Sequence, residues 1–268
     1  MDYFTVSAIF VFGLIIGSFL NVVIFRFNTG MTVSRGRSAC FSCGKTLEWY
    51  ELIPVASFLM QKGACRKCRS RISWQYPLVE LSGGITLVLA YILTPGAFVT
   101  ASGFVSFVLL SILLCLYIVI VTYDIRHKII PDAFSYAAGA TALLMMGQGG
   151  LFAGRIDPTQ AVAGPALFLF FWAFWYFSKG KWMGLGDGKL ALSIGWVLGL
   201  AGGVTALLFS FWIGAVISLA IMAVERIRGN KRLGMRSEIP FGPFLIIGFL
   251  IVLIFRVDIQ ALLSYLAL

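Results

Sequence analysis

Eight apolar runs parted by short polar segments constrain this chain more than any other feature. They lie near residues 4–25, 78–93, 103–122, 129–146, 161–177, 190–201, 204–223 and 244–255, the last extending toward Leu263. Backbone polar groups find no water inside a bilayer, so such runs cross only as helices or closed barrels, and unbroken apolar stretches point to helices. A crossing needs about 20 residues. The sixth run is too short unless it begins near Gly184 and carries Asp187 below the membrane surface. With 60% hydrophobic and 12% charged residues, the composition fits a multi-span membrane protein and excludes a soluble domain with a large core. The expected fold class is an all-α polytopic membrane protein of about eight transmembrane helices, with a small cytoplasmic subdomain between helices one and two.

The net charge of +10 acquires a direction along the chain. Of the 21 lysines and arginines, only Arg155 and Arg256 fall on one side of the alternating crossings. The others gather after spans one, three, five and seven, so the positive-inside rule places those loops in the cytoplasm and both termini outside. Basic loops there fix topology and attract anionic lipid. Nothing in them resembles a nucleic-acid module, and no nucleic-acid partner is expected. Trp172, Trp175, Tyr176 and Trp182 cluster at the inner end of span five, either as an interfacial belt or as rings packed between helices. The first run lacks a basic start and a small-residue cleavage pattern, which predicts a retained span and not a cleaved signal peptide.

Residues 29–76 form the one long hydrophilic stretch, set between a first helix at 1–28 and the remaining helices at 77–268. It contains Cys40-Phe41-Ser42-Cys43 and Cys65-Arg66-Lys67-Cys68. Two C-x-x-C knuckles approximate four-thiolate zinc spacing, although the interval 44–64 is slightly longer than usual. A segment this short and polar has little core, so a metal would supply much of its folding energy. The alternatives are two disulfides or four free thiols, and a reducing cytosol favours zinc over disulfides. Cys40, Cys43, Cys65 and Cys68 are therefore the expected ligands of a structural zinc, since four cysteines leave no open position for catalysis. Phe41, Trp49, Tyr50, Trp74 and Tyr76 are expected to pack this subdomain, and Cys115 to pack within span three.

Two aspartates stand where apolar runs meet basic loops: Asp124 in Tyr123-Asp124-Ile125-Arg126-His127, and Asp187 in Gly184-Leu185-Gly186-Asp187-Gly188-Lys189. A carboxylate near a bilayer is costly enough to suggest chemistry or transport. By the topology above, both approach the membrane from the cytoplasmic side. Peptide hydrolysis without a metal needs one carboxylate to take a proton from water and one carboxylic acid to polarise the scissile carbonyl. Two aspartates in contact divide those roles, because like charges a few ångströms apart share one proton. They titrate as a unit, which leaves acid and base unassigned. The glycines around Asp187 allow close backbone approach. Taken singly, Asp187 also reads as a helix N-cap, and Asp124 as a solvated partner of Arg126 and Lys128.

Lesser candidates have simpler readings. Asp132, after Pro131, is expected to cap span four. His127, the single histidine, reads as an interfacial polar residue. Glu80 pairs with an arginine or joins a polar site between helices. Lys189 either stabilises the dyad or anchors its helix at the interface.

Several motifs in order carry a family resemblance: Gly17-Ser18-Phe19-Leu20-Asn21-Val22, the two cysteine pairs, Ile53-Pro54 with Gly63, and Trp74-Gln75-Tyr76-Pro77-Leu78-Val79-Glu80. Asp124 with Ile130-Pro131-Asp132, Gly184-Leu185-Gly186-Asp187, and Ile239-Pro240-Phe241-Gly242-Pro243-Phe244 complete the set. Over nearly its whole length the chain resembles the bacterial type IV prepilin peptidases, which process type IV pilins and type II secretion pseudopilins. The resemblance implies an inner-membrane aspartyl protease with Asp124 and Asp187 catalytic, the second in the G-x-G-D pattern shared with presenilin-like enzymes. It implies cleavage of prepilin leaders after a glycine at the cytoplasmic face. It also implies, for many members, methylation of the new N-terminus with S-adenosylmethionine. Phe41 stands where the family usually has proline, and Glu51-Leu52 where an Asp-Asn pair is usual. The competing class is a transporter that couples protons or cations through the aspartates, but the halves show no repeat of the kind transporters carry.

Overall fold

Helices dominate this computed structural model, which describes residues 2–33, 36–148, 158–181, 183–227 and 239–257. The order is α1 (Tyr3–Arg26), α2 (Ala56–Met60), α3 (Gln75–Leu93), α4 (Ala101–His127), α5 (Asp132–Gly147), α6 (Pro158–Ser178), α7 (Leu185–Ile227) and α8 (Gly242–Phe255). Five of them, α1, α3, α4, α6 and α7, are long and apolar enough to cross a membrane. α8 is a shorter apolar helix of 14 residues. The eight apolar runs fall on seven helices, α7 holding two of them and α2 none, and they do not amount to eight full-length crossings. The expected extension toward Leu263 and Trp182 of the aromatic cluster lie outside the described residues.

Two boundaries differ from the sequence reading. α5 begins at Asp132, not at 129, because Pro131 holds φ −69° and ψ 130° at the N-cap and the residue before a proline is disfavoured in the helix. Ile129 and Ile130 are thereby left as connection. The sixth and seventh runs form a single 43-residue helix interrupted at Gly199, whose φ of 73° and ψ of −179° suit glycine. The half before the break, starting at Leu185, is about 21 Å long against a hydrocarbon core of about 30 Å. Asp187 lies in its first turn.

The chain divides after Thr122 into two units. In the first, α1 packs on α3 through glycine faces: a methyl group on Gly13 would fall 2.7 Å from Gly84 Cα, and one on Gly17 2.6 Å from Glu80 Cα. Small residues let membrane helices approach this closely. Buried Asn21 of α1 donates to the Tyr76 carbonyl at 3.1 Å. Glu80, also buried, accepts from the Val55 amide at 2.7 Å, which ties α3 to the loop before α2. The Ser18 hydroxyl of α1 is a second hydrogen-bonding neighbour, so Glu80 joins a polar site between α1 and α3, one of the two partnerships expected for it. The Val55 amide that also binds it belongs to a residue with φ 61°.

In the second unit α7 is the hub, packed by α5, α6 and α8. Methyl groups would meet backbone at the α6–α7 crossing, with Gly195 2.7 Å from Ala163 O. Phe171, Leu190, Ile194, Leu245, Phe249 and Leu253 are fully buried between these helices.

Candidate active site and cysteine cluster

Asp124 reaches the site from the last turn of α4 and Asp187 from the first turn of α7. Both are buried, at 4% and 8% exposure, which among carboxylates demands specific partners. Asp124 Oδ2 accepts the backbone N–H of Gly242, the first residue of α8, at 3.1 Å. Asp187 has the Gly184 amide as a hydrogen-bonding neighbour and lies within electrostatic reach of Asp124. Each carboxyl thus sits at the amino end of a helix, Asp124 at α8 and Asp187 at α7, where unpaired N–H groups and the macrodipole favour negative charge. The aspartates that the sequence placed on separate runs are neighbours in one unit.

Glycines make that approach possible. A methyl group on Gly242 would lie 2.7 Å from Asp124 Oδ2, and one on Gly186 would lie 2.9 Å from Ile130 Cβ. Gly188 faces Phe171, whose Cβ would be 3.1 Å from such a group. Gly242 was quoted in the sequence only as part of a motif. Its amide is a partner of Asp124 that no spacing rule within the chain announces.

Asp132 does not cap α5 through its side chain. It is the first residue of that helix, and its carboxylate takes Lys189 Nζ at 2.6 Å. Lys189 also lies 5.1 Å above the Tyr136 ring. The lysine two residues past Asp187 is therefore turned toward Asp132 and Tyr136 of α5. His127 is exposed and stacks on Tyr123 with ring centroids 4.3 Å apart.

The four cysteines of the polar stretch converge in the first unit. Cys40, Cys43, Cys65 and Cys68 place their sulfurs within 4.8 Å of one another. All four are free thiols. The two knuckles repeat one backbone pattern. Cys40 N–H bonds Lys45 O and Gly44 N–H bonds Cys40 O, both at 2.9 Å; Cys65 N–H bonds Ser70 O and Arg69 N–H bonds Cys65 O, both at 2.9 Å. The fourth residue after each leading cysteine has positive φ, supplied by Gly44 at 68° and by Arg69 at 60°. Tetrahedral zinc with Zn–S of about 2.3 Å requires sulfur–sulfur edges of about 3.8 Å. Cys40 and Cys68 sulfurs are 3.8 Å apart and all four lie within 4.8 Å, so the donor set is compatible with the ion.

Hydrogen bonds prepare the thiols for metal. Donors from Cys43 and Ser70 lower the Cys40 pKa to about 6, and Ser70 likewise lowers that of Cys68. Cys43 is pushed up to about 11 by partial burial and its neighbouring thiols. Glu51 supports the same lobe: Lys45 Nζ donates to both its oxygens at 2.9 Å, and the Glu48 amide donates at 3.0 Å. The Glu48 amide, then Lys45, hold its carboxyl below the usual range.

Comparison with known proteins places this geometry in a family. The Bacterial Peptidase A24 N-terminal domain matches residues 11–94, which include the four cysteines. The Type IV leader peptidase family matches residues 107–219, which include both aspartates. The prepilin leader peptidase/N-methyltransferase of Bacillus subtilis (strain 168) is 34% identical over 245 residues, covering 90% of this chain and 91% of the relative. The chain belongs to the type IV leader peptidase family. Among its other relatives in that family, the prepilin leader peptidase/N-methyltransferase of Aeromonas salmonicida (strain A449) is 30% identical over 272 residues, covering 90% of this chain and 87% of the relative. That of Klebsiella pneumoniae is 34% identical over 205 residues, covering 72% and 85%. No solved structure matches the chain.

Proposed function

We propose that this leader peptidase removes the leader from type IV prepilins or type II secretion pseudopilins at the cytoplasmic face of the inner membrane and N-methylates the new terminus. The observation that carries the proteolytic reading is the burial of Asp124 and Asp187 at two helix amino ends, within electrostatic reach of each other. Such a pair holds one proton between its members. The ionised carboxylate takes a proton from water as its oxygen attacks the carbonyl carbon at the leader junction. The protonated carboxyl gives its proton to the carbonyl oxygen. Collapse of the tetrahedral intermediate then breaks the C–N bond: the nitrogen takes the proton held by the pair, a hydroxyl of the intermediate gives its own proton back to the pair as the new carboxyl forms, and the resting state returns. The substrate's apolar helix lies in the bilayer against the enzyme's spans, so hydrophobic matching supplies much of the binding.

Cys40, Cys43, Cys65 and Cys68 would hold a structural zinc, and residues 29–76 would be the subdomain it organises. The ion contributes folding energy there and no chemistry. The methyl donor implied by the family resemblance is S-adenosylmethionine. The geometry singles out no residue set for it, and the methyl-transfer reading rests on the relatives' names and that resemblance.

The test is the mass of a prepilin before and after incubation with purified protein in detergent. Loss of the leader mass with a further methyl increment is expected when S-adenosylmethionine is added. A substrate of unchanged mass sinks the reading and returns attention to cation or proton transport through the aspartates.

A further inference from the structure

Ile130 stands against both glycines of the aspartyl site. A methyl group on Gly186 would fall 2.9 Å from Ile130 Cβ and 3.6 Å from its Cδ1, and one on Gly242 would fall 3.3 Å from the same Cδ1. Gly186 immediately precedes Asp187, and the Gly242 amide is the donor to Asp124. The side chain is 9% exposed and sits in the connection just before Pro131. Two residues on, Asp132 is bound by Lys189 at 2.6 Å. The connection is thus fastened to α7 on either side of Asp187 and to α8 at the amide that holds Asp124.

We propose that Ile130 is a positioning residue whose side chain, wedged between Gly186 and Gly242, sets the separation of the Asp124 and Asp187 carboxyls. This rests on the reading of those aspartates as the catalytic pair. A β-branched side chain is stiff at χ1, and close-packed interiors yield little to compression, so such a wedge transmits a fixed spacing. Sharing of a proton depends on that spacing through the Coulomb interaction. A misplacement of about 1 Å can cost roughly 100-fold in rate.

The experiment compares Ile130→Val, Ile130→Ala and Ile130→Met in full-length protein in detergent, with a prepilin as substrate. Ile130→Val deletes only Cδ1, the Ile130 atom that faces both glycines, and carries the test if Ile130→Ala fails to fold. Zinc content and elution volume report folding. We expect kcat to fall about tenfold for the valine variant and up to about 100-fold for alanine, with KM within about twofold. The acid and base limbs of the kcat pH profile should move apart by about half a pH unit or more, since trimming the wedge lets the carboxyls close on each other and a closer pair splits its protonation steps more. Ile130→Met, which restores the volume without the β-branch, should recover only part of the rate. The other charged groups on these elements, Arg126, His127 and Lys128 after Asp124 and the Lys189–Asp132 pair, are retained in all three variants.

Unchanged kcat in folded Ile130→Val and Ile130→Ala overturns the proposal. So does a loss of kcat with fixed limbs, which is a structural effect only, or a change confined to KM, which makes Ile130 a substrate contact. Asp124→Asn and Asp187→Asn run alongside. Their inactivity beside normal Ile130 variants overturns the wedge alone, whereas normal cleavage by either overturns the dyad beneath it.

Discussion

The cysteine lobe and the aspartyl site both gather reactive polar groups, by opposite means. In the lobe each knuckle is closed by hydrogen bonds between residues four or five apart, and the two copies converge to bring four sulfurs within 4.8 Å. In the aspartyl site the groups come from α4, α7 and α8, and what brings them together is the absence of side chains at Gly186 and Gly242. One site is written in the spacing of its own ligands. The other is written in residues that carry no chemistry.

Substituting the reactive groups breaks this comparison most severely. Asp124→Asn or Asp187→Asn should cut leader removal by about 10³-fold or more while the protein stays inserted, read as prepilin mass. Cys65→Ser should cost the bound zinc and expose residues 29–76 to limited proteolysis, because the metal replaces a core the lobe lacks. Gly242→Ala adds a methyl 2.7 Å from Asp124 Oδ2 and should slow cleavage roughly 100-fold with its zinc content unchanged. If it cleaves normally, the contrast between the two sites loses its basis. Lys189→Met removes a partly exposed ion pair worth about 1 kcal/mol, so a loss of about fivefold or less is expected in kcat, with Lys189→Arg close to the parent.

The smallest effect concerns acid. Glu51 has its folded pKa depressed, so its contribution to stability is present above the ordinary glutamate value and is lost as pH falls through the lowered one. Glu51→Gln should therefore narrow the difference in zinc retention between neutral pH and pH below about 4, measured by metal release. A variant that loses zinc in parallel with the parent across that window would detach Glu51 from the lobe's stability.

Legibility in the sequence follows the same division. The helices were readable because each apolar run is long, and the four cysteines because their spacing is local. The start of α5 was not, since Pro131 ends the extended connection inside what reads as one apolar run from 129. Asp132 and Lys189 were each legible as charged residues near a helix end, but their 2.6 Å contact depends on how α5 packs against α7. Ile130 looks like any core isoleucine. Only the two glycines it faces, distant in the chain, give it a separate meaning.

The interruption at Gly199 has a mechanical consequence. The portion of α7 beyond it is about 42 Å long, more than a hydrocarbon layer of about 30 Å, and must lean or protrude as lipid thickness varies. The φ of 73° at Gly199 breaks the helical path between them, so α7 is not one straight rod from that portion to the short one bearing Asp187.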